Sequence, residues 1–527
     1  MDTNRSLRAC AGVLVLAAFA GPADSQPSAS LAPATMARIG AVSERFQSFN
    51  IEMVEVTGGR FWKPYGAAVN ALLQAQASAG PVGMDPGLYQ QRQPIDLSSP
   101  RLRKLAAALG PAYVRVSGTW ANTTCFLDTD EGIPVSPPPG FNGTLTRRQW
   151  KGVVDFSRAV DARIVTSFAT SEGTRDRAGV WTPAQARLLL AYTESVGGSI
   201  AAAEFMNEPT FAAMGGAPKG YDAAAYARDI AVFRAFAKEA APAMTILGPG
   251  SVGEGVALVP ASLARGQLKS EDLLAAAGPA FDAFSYHFYG AVSRRCAAAA
   301  PESGTSPEAA LSEEWLTRTG RTEAFYAGLR DRFAPGKPLW VTETADAACG
   351  GNPWGSTFLD SFRYLDQLGR LARSGVQVVA HNTLAASDYG LIDEATLTPR
   401  PNYWAALLWR RLMGTVVLDP GPSPAPQLHL YAHCLRGHPG GVALLAINTD
   451  RDASQSVVLP AASLRYTLTA RNFEGTRVDL NGSLLALAAG DALPQLKGVP
   501  TPSGRVTLTP ASIAFLEIPD AGNGSCR

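Results

Sequence analysis

The chain reads as a (β/α)₈ barrel followed by a β-sandwich, and three features of its sequence predict this. Eight short apolar runs alternate with segments of helical periodicity as far as about Met413. Beyond Met413 the texture changes to short β-like runs separated by Gly, Pro, Asn and Asp. No glycine-rich GxGxxG turn follows the first run, which disfavours an open doubly wound sheet.

The candidate barrel strands are Ser48–Val54, Ala112–Gly118, Arg163–Phe168, Ala202–Met206, Thr245–Gly248, Ala283–Tyr289, Leu339–Thr342 and Val376–Ala380. Helical periodicity fills the spaces between them, as in Trp150–Val160, Ala184–Val196, Ala224–Glu239 and Phe358–Ser374. Thr182 and Pro183 suit the start of the second of these, as an N-cap and a first-turn proline. The stretch Ala121–Thr146, with prolines from Pro134 to Pro139, reads as a long loop after the second strand. In the tail, Val416–Leu418, Leu428–Tyr431, Val442–Ile447, Ser456–Leu459, Tyr466–Thr469 and Val506–Leu508 read as strands, with Pro420–Pro426 as a turn cluster. The expected division is therefore 1–26 as a signal peptide, 27–414 as the barrel (its first residues free to join the sandwich) and 415–527 as the sandwich.

A chain of 527 residues with 46% hydrophobic content can bury two such cores. Its formal net charge of +1 provides no global field to draw it to nucleic acid or to a membrane surface. Arg5 and Arg8, the apolar run Ala11–Ala20 and the small residues Ala23-Asp24-Ser25 have the layout of a secretory signal, and that run is too short to span a bilayer. The expectation is a secreted or periplasmic protein. Cys10 would leave with the signal, and the odd number of cysteines then remaining leaves at least one thiol unpaired. There is no CxxC or HExxH spacing, so neither a metal site nor a cofactor is expected.

The chemistry is carried by two glutamates. Glu208, in Phe205-Met206-Asn207-Glu208-Pro209, and Glu343, in Leu339-Trp340-Val341-Thr342-Glu343-Thr344, stand at the ends of the fourth and seventh strands. Pro209 lacks an N–H and helps to end its strand. In a closed barrel both strand ends open on one face, so the two carboxyl groups can meet there. One acid to protonate a leaving oxygen and one carboxylate to attack carbon or steer water is the equipment of glycosidic bond cleavage. His287 and Tyr289 share one face of the sixth strand. If that face lines the barrel mouth, Tyr289 can donate to Glu343.

Taken in order, Val114-Arg115-Val116-Ser117-Gly118-Thr119, Asn207-Glu208-Pro209, Tyr286-His287-Phe288-Tyr289-Gly290, Glu343-Thr344 and Gly350-Gly351 resemble the heparanase-type β-glucuronidases. Tyr431-Ala432-His433-Cys434 and Ala446-Ile447-Asn448 extend the likeness into the tail. The resemblance implies a retaining glycoside hydrolase, with Glu208 as acid/base, Glu343 as nucleophile and Asn207 on the sugar 2-hydroxyl. It implies that the uronate carboxylate meets the N–H groups of Gly350 and Gly351 and the Tyr389 hydroxyl. Glu52, Thr119 and Asn382 match further substrate-contact positions, with Glu52 standing where the family has aspartate. It also implies a Cys434–Cys526 bridge; Cys296 and Cys349 follow strands six and seven and can form another, leaving Cys125 free. The implied substrate is a β-glucuronide oligosaccharide or polysaccharide, with heparan sulfate-type chains among the candidates. The loop after Phe211 lacks the lysine expected to contact a sulfated chain, and Lys219, Arg294 and Arg295 are the replacements at hand. Another barrel glycosidase, such as a β-glucanase or arabinofuranosidase, and a non-catalytic carbohydrate-binding protein remain as alternatives.

Overall fold

A computed structural model describes residues 28–79, 85–132, 134, 136–256, 266–297 and 303–527. The segment read as an export signal lies outside these residues. Eight parallel strands close into a barrel: Gln47–Glu52, Ala112–Ser117, Ala162–Ser167, Ile200–Glu204, Thr245–Ser251, Ala283–Tyr289, Leu339–Ala345 and Val378–His381. Neighbours follow chain order, and the eighth pairs back onto the first through Val379 and Gln47. Most of their residues are buried on both faces, which is why these strands read as continuous apolar runs rather than alternating ones.

The helices between them have local causes. Arg147–Ala159 opens on a capping box in which Thr146 and Gln149 satisfy each other's backbone N–H groups. Ala223–Ala240 opens on Asp222, whose carboxylate accepts from the N–H of Ala225. The start of Ala184–Ser195 differs from expectation: Pro183 itself is the cap residue, and the Thr182 hydroxyl donates to the Thr174 carbonyl instead of capping. Nor is 121–146 wholly a loop, since Thr124–Leu127 and Gly143–Thr146 pair as a short parallel ladder.

In the carboxy-terminal domain the larger sheet runs Arg38–Ala41, Met413–Leu418, Leu428–Leu435, Val442–Asn448, Ser512–Ile518 and Ser463–Thr469, ending in two short strands. Ser28–Ser30, Gln455–Leu459 and Gly504–Leu508 form a second sheet. The first described strands thus belong to the sandwich, and the chain passes through it before entering the barrel. Alternation splits the larger sheet between two cores. Leu430, Leu444, Ala446 and Leu516 face the second sheet, whereas Tyr431, Leu445, Ile447 and Phe515 join the barrel core.

Helix Phe358–Arg373 lies at that junction and is buried along almost its whole length. Gly369 is required there, because a Cβ would fall 2.3 Å from the Tyr431 ring. Asp366 on this helix accepts from the Tyr431 hydroxyl and from Arg370, and it pairs with His429 of the sandwich. Disulfides join Cys434 to Cys526 and Cys296 to Cys349, while Cys125 is buried and unpaired. Among the described residues no helix is long and apolar enough to cross a membrane.

Candidate active site

The carboxyl ends of the barrel strands surround a cavity of about 360 Å³, with both Glu208 and Glu343 in its lining. Glu343 lies inside the seventh strand, which continues to Ala345, and its Cα pairs in register with that of His287. Glu208 follows the fourth strand in a left-handed conformation (φ 50°, ψ 63°), just before the short 3₁₀ turn Pro209–Phe211. Such a backbone is costly for a residue with a side chain and persists only where surrounding contacts hold it. Asn122 supplies two of these contacts, donating to the Asn207 carbonyl (2.9 Å) and accepting from its N–H (2.9 Å).

Beneath the cavity lies Arg115, a buried cation on the second strand. Its guanidinium donates to Glu343 (2.8 Å), to Glu204 through Nε and Nη2 (3.1 and 2.8 Å) and to the Asn207 side-chain oxygen (2.7 Å). Glu204 also accepts from Ser285 (2.8 Å) and Thr342 (2.7 Å). Burial is the largest single influence and disfavours its anion, but the Arg115 charge, the contact with His287 and the Thr342 hydrogen bond together outweigh it and hold the Glu204 carboxyl well below the usual range. Glu343 receives a second donor, the Tyr289 hydroxyl at 2.6 Å.

Glu208 is in the opposite situation. Burial, reinforced by the charge of Glu343 and only partly offset by a His287 hydrogen bond, raises its carboxyl above the ordinary value. The two glutamates thus have different surroundings: Glu343 accepts from a guanidinium and a tyrosine hydroxyl, whereas Glu208 meets the His287 ring. His287 lies between them, its Nδ1 3.1 Å from Glu208 and 3.7 Å from Glu343. Two influences on this imidazole conflict. Burial and the Arg115 charge disfavour its cation, whereas Glu343 and hydrogen bonds to Glu204 and Glu208 favour it. Its Nε2, however, is 3.1 Å from Arg115 Nη2, and a guanidinium only donates, so that contact needs a neutral lone pair. A neutral ring with Nδ1–H on Glu208 satisfies both contacts, and we assign that form to the resting site.

Glu208, His287 and Glu343 bring one donor atom each within 4.8 Å of one another, the only such trio of potential metal ligands among the described residues. Arg115 is already hydrogen-bonded to Glu343 and in contact with His287, so a metal cation would meet a fixed positive charge. The arrangement suits proton transfer and attack on carbon better than metal binding.

The other expected residues occupy defined places. Glu52, Thr119, Tyr289, Asn382 and Tyr389 line the cavity, whereas Asn207 and His287 are buried behind it. Asn382 Nδ2 faces Glu52 (3.0 Å), Tyr289 Oη (3.0 Å) and Tyr389 Oη (3.2 Å). Burial and then the charge of Glu343 raise the Glu52 carboxyl well above its usual range, against the lowering effect of the Asn382 hydrogen bond and the Arg115 charge. Gly118 makes room for this longer side chain: a Cβ there would fall 1.6 Å from Glu52 Oε2. Gly350 and Gly351, both at positive φ, sit behind the cavity wall against Trp62, Ser387 and Tyr389. Their carbonyls accept from Arg295, which also pairs with Asp388. Arg295 is therefore committed to the scaffold rather than presented to a ligand, and neither Lys219 nor Arg294 is part of the lining.

Sequence reasoning passed over Arg115, Glu204 and Asn122 as site residues. The available signal was a lone charge inside each of two otherwise apolar barrel strands, Tyr113-Val114-Arg115-Val116 and Ala202-Ala203-Glu204-Phe205.

A closed barrel with two neighbouring glutamates in a cavity at its carboxyl face has the layout of a glycoside hydrolase. Residues 94–369, just over half the chain, match the model described as glycosyl hydrolase family 79, N-terminal domain, and the chain belongs to that family. It is 28% identical over 381 residues to heparanase-like protein 1 of Arabidopsis thaliana, covering 69% of this chain and 66% of that one. To the baicalin-β-D-glucuronidase of Scutellaria baicalensis it is 30% identical over 231 residues, covering 41% and 44%. The matches span less than two thirds of either relative's length. Among solved structures, a 4-O-α-L-rhamnosyl-β-D-glucuronidase from Fusarium oxysporum shares the fold, with a TM-score of 0.59, 14% identity and coverage of 93% of this chain and all of that one.

Proposed function

We propose that the protein is an exported, retaining β-glucuronidase in which Glu343 is the nucleophile and Glu208 the acid/base. The observation that carries the reading is the proximity of the pair: carboxyl oxygens of Glu208 and Glu343 lie within 4.8 Å of each other. Retaining enzymes hold their two carboxyl groups about 5–5.5 Å apart, whereas inverting ones leave room for a water at roughly 6.5–9.5 Å. Glu343 attacks the anomeric carbon as Glu208 protonates the departing oxygen. Glu208, now anionic, then takes a proton from the water that cleaves the glycosyl ester. The Nδ1–H of His287 stabilises that anion through its hydrogen bond.

Asn207, with its side-chain oxygen held by Arg115, is oriented to meet the sugar 2-hydroxyl. The uronate carboxylate lies toward Asn382 and Tyr389, which line the cavity, rather than toward Gly350 and Gly351, which stand behind its wall. Glu52 as an anion would repel the uronate, and the upward shift of the Glu52 carboxyl lessens that repulsion. Two disulfides support export to an oxidising compartment.

The test is paired hydrolysis of 4-nitrophenyl β-D-glucuronide and β-D-glucoside. The reading expects the glucuronide to be favoured about a hundred-fold or more in kcat/KM, since donors set for an anion are left poorly paired by a hydroxymethyl group. Glu343→Gln should abolish turnover while leaving binding measurable. Equal turnover of the two glycosides would remove the glucuronidase assignment. Binding without turnover by the wild type would favour a carbohydrate-binding protein, and preferential cleavage of an arabinofuranoside or β-glucan would favour another barrel glycosidase.

A further inference from the structure

We infer that the group released from the glucuronide is apolar and aromatic rather than a sulfated sugar, an inference that rests on the glucuronidase reading. It comes from what lines the cavity beyond the two glutamates. Two separate apolar clusters contribute there, one including Trp62, Tyr89 and Trp120, the other Phe211 and Val252. Trp62 and Tyr89 are stacked with ring centroids 4.5 Å apart. Among the described residues no lysine or arginine lines this cavity.

The side on which the aglycone leaves follows from the acid. A group that protonates the departing oxygen stands on the leaving-group side, so the segment that follows Glu208 borders that subsite. Its side chains in the lining are Phe211 and Met214. Met214 is 67% exposed, an apolar side chain held in solvent at the rim where a hydrophobic ligand would cover it. Tyr89, Thr119, Trp120 and Met214 also line an adjoining groove of about 700 Å³, so space continues outward from the acid. One arginine, Arg60, borders that groove, and its guanidinium donates to the Pro86 carbonyl at 2.7 Å.

A sulfated glycan carries anionic groups on successive residues and would desolvate them against these rings, with no cation in the cavity and only Arg60 in the outer groove to replace the lost water. A flat aromatic ring gains from the same surroundings through burial and stacking.

The experiment compares ethyl with 2-phenylethyl β-D-glucuronide, whose alcohols leave with nearly the same acidity, and adds a sulfated oligosaccharide ending in glucuronate. Wild type is expected to favour 2-phenylethyl over ethyl by on the order of ten-fold in kcat/KM, mostly through KM. Trp120→Ala should bring this ratio toward one. Met214→Lys, at an exposed position whose replacement spares the core, should lower the ratio and improve the sulfated substrate relative to 2-phenylethyl. A wild-type ratio near one, or a better rate on the sulfated oligosaccharide, would overturn this inference while leaving the glucuronidase reading intact. Failure to cleave any glucuronide would overturn both.

Discussion

Replacing Arg115 with methionine keeps roughly the length of the side chain and removes the charge that two buried carboxylates share. In the folded protein this guanidinium bonds to Glu204 twice, to Glu343 and to Asn207, all within 3.1 Å. Removing one partner of a buried ion pair typically costs about 3–5 kcal/mol, chiefly because the other charge is stranded. Glu204 would keep Ser285 and Thr342, and Glu343 would keep Tyr289, so the lower end, about 3 kcal/mol, is expected. The loss should appear as a lower midpoint in urea unfolding followed by tryptophan fluorescence. Turnover of an activated aryl glucuronide should fall as well, because Asn207 and Glu343 lose a common anchor. Adding Glu204→Gln removes the stranded charge, so the double variant should regain about 1–2 kcal/mol relative to Arg115→Met. A single variant within about 1 kcal/mol of wild type, or strictly additive losses in the double variant, would refute this account of the site floor.

Four other outcomes follow from the same geometry. Glu208→Ala should slow substrates with poor leaving groups far more than activated aryl glucuronides, and equal losses on both would count against the acid/base role. In the proposed reaction Glu208 is the protonated acid and its carboxyl is raised, so wild-type kcat/KM should fall as pH rises through that raised value; Glu208→Gln should lose this alkaline limb on activated substrates. Tyr389→Phe should weaken glucuronide turnover more than glucoside turnover, by on the order of ten-fold, read from paired kcat/KM values. Glu55 is buried, with its pKa raised by burial from 4.5 to about 7. It therefore favours folding below about pH 4.5, relative to its ionised state, and that contribution is lost as pH rises through about 7. Glu55→Gln should consequently be more stable than wild type at pH 8 by on the order of 3 kcal/mol, and no more stable at pH 4, as read from unfolding midpoints.

The barrel was legible because its strands are buried on both faces and therefore uniformly apolar, while its helices carry a distinct period and caps such as Thr146 with Gln149. Glu208 and Glu343 stood out because each breaks such a run at its carboxyl end. Arg115 and Glu204 break apolar runs too, but their role arises from neighbours across the barrel, which sequence spacing does not reveal. The strand Ser512–Ile518 went unread although it lies in the middle of the larger sheet: its apolar residues follow a turn near the chain end and resemble a tail until Val442–Asn448 and Ser463–Thr469 flank it. The passage of the chain through the sandwich before the barrel depends on two strands of only three and four residues, Ser28–Ser30 and Arg38–Ala41, too short to carry a period. The apolar lining of the cavity was equally hidden, because Trp62 and Tyr89 pair across a small two-stranded ladder while Trp120 and Phe211 sit in separate 3₁₀ turns, and the four meet only at the barrel mouth.

The central claim is that Glu343 attacks carbon while Glu208 gives and then takes a proton, and the stereochemistry of the first product tests it most directly. Proton NMR of an aryl β-D-glucuronide, recorded in the first minutes of hydrolysis before mutarotation, reads the anomeric configuration of the released glucuronic acid. The close carboxyl pair predicts the β-anomer first, and methyl β-D-glucuronide when methanol competes with water. Initial release of the α-anomer would mean a single displacement by water, and the roles assigned here to Glu208 and Glu343 would be wrong.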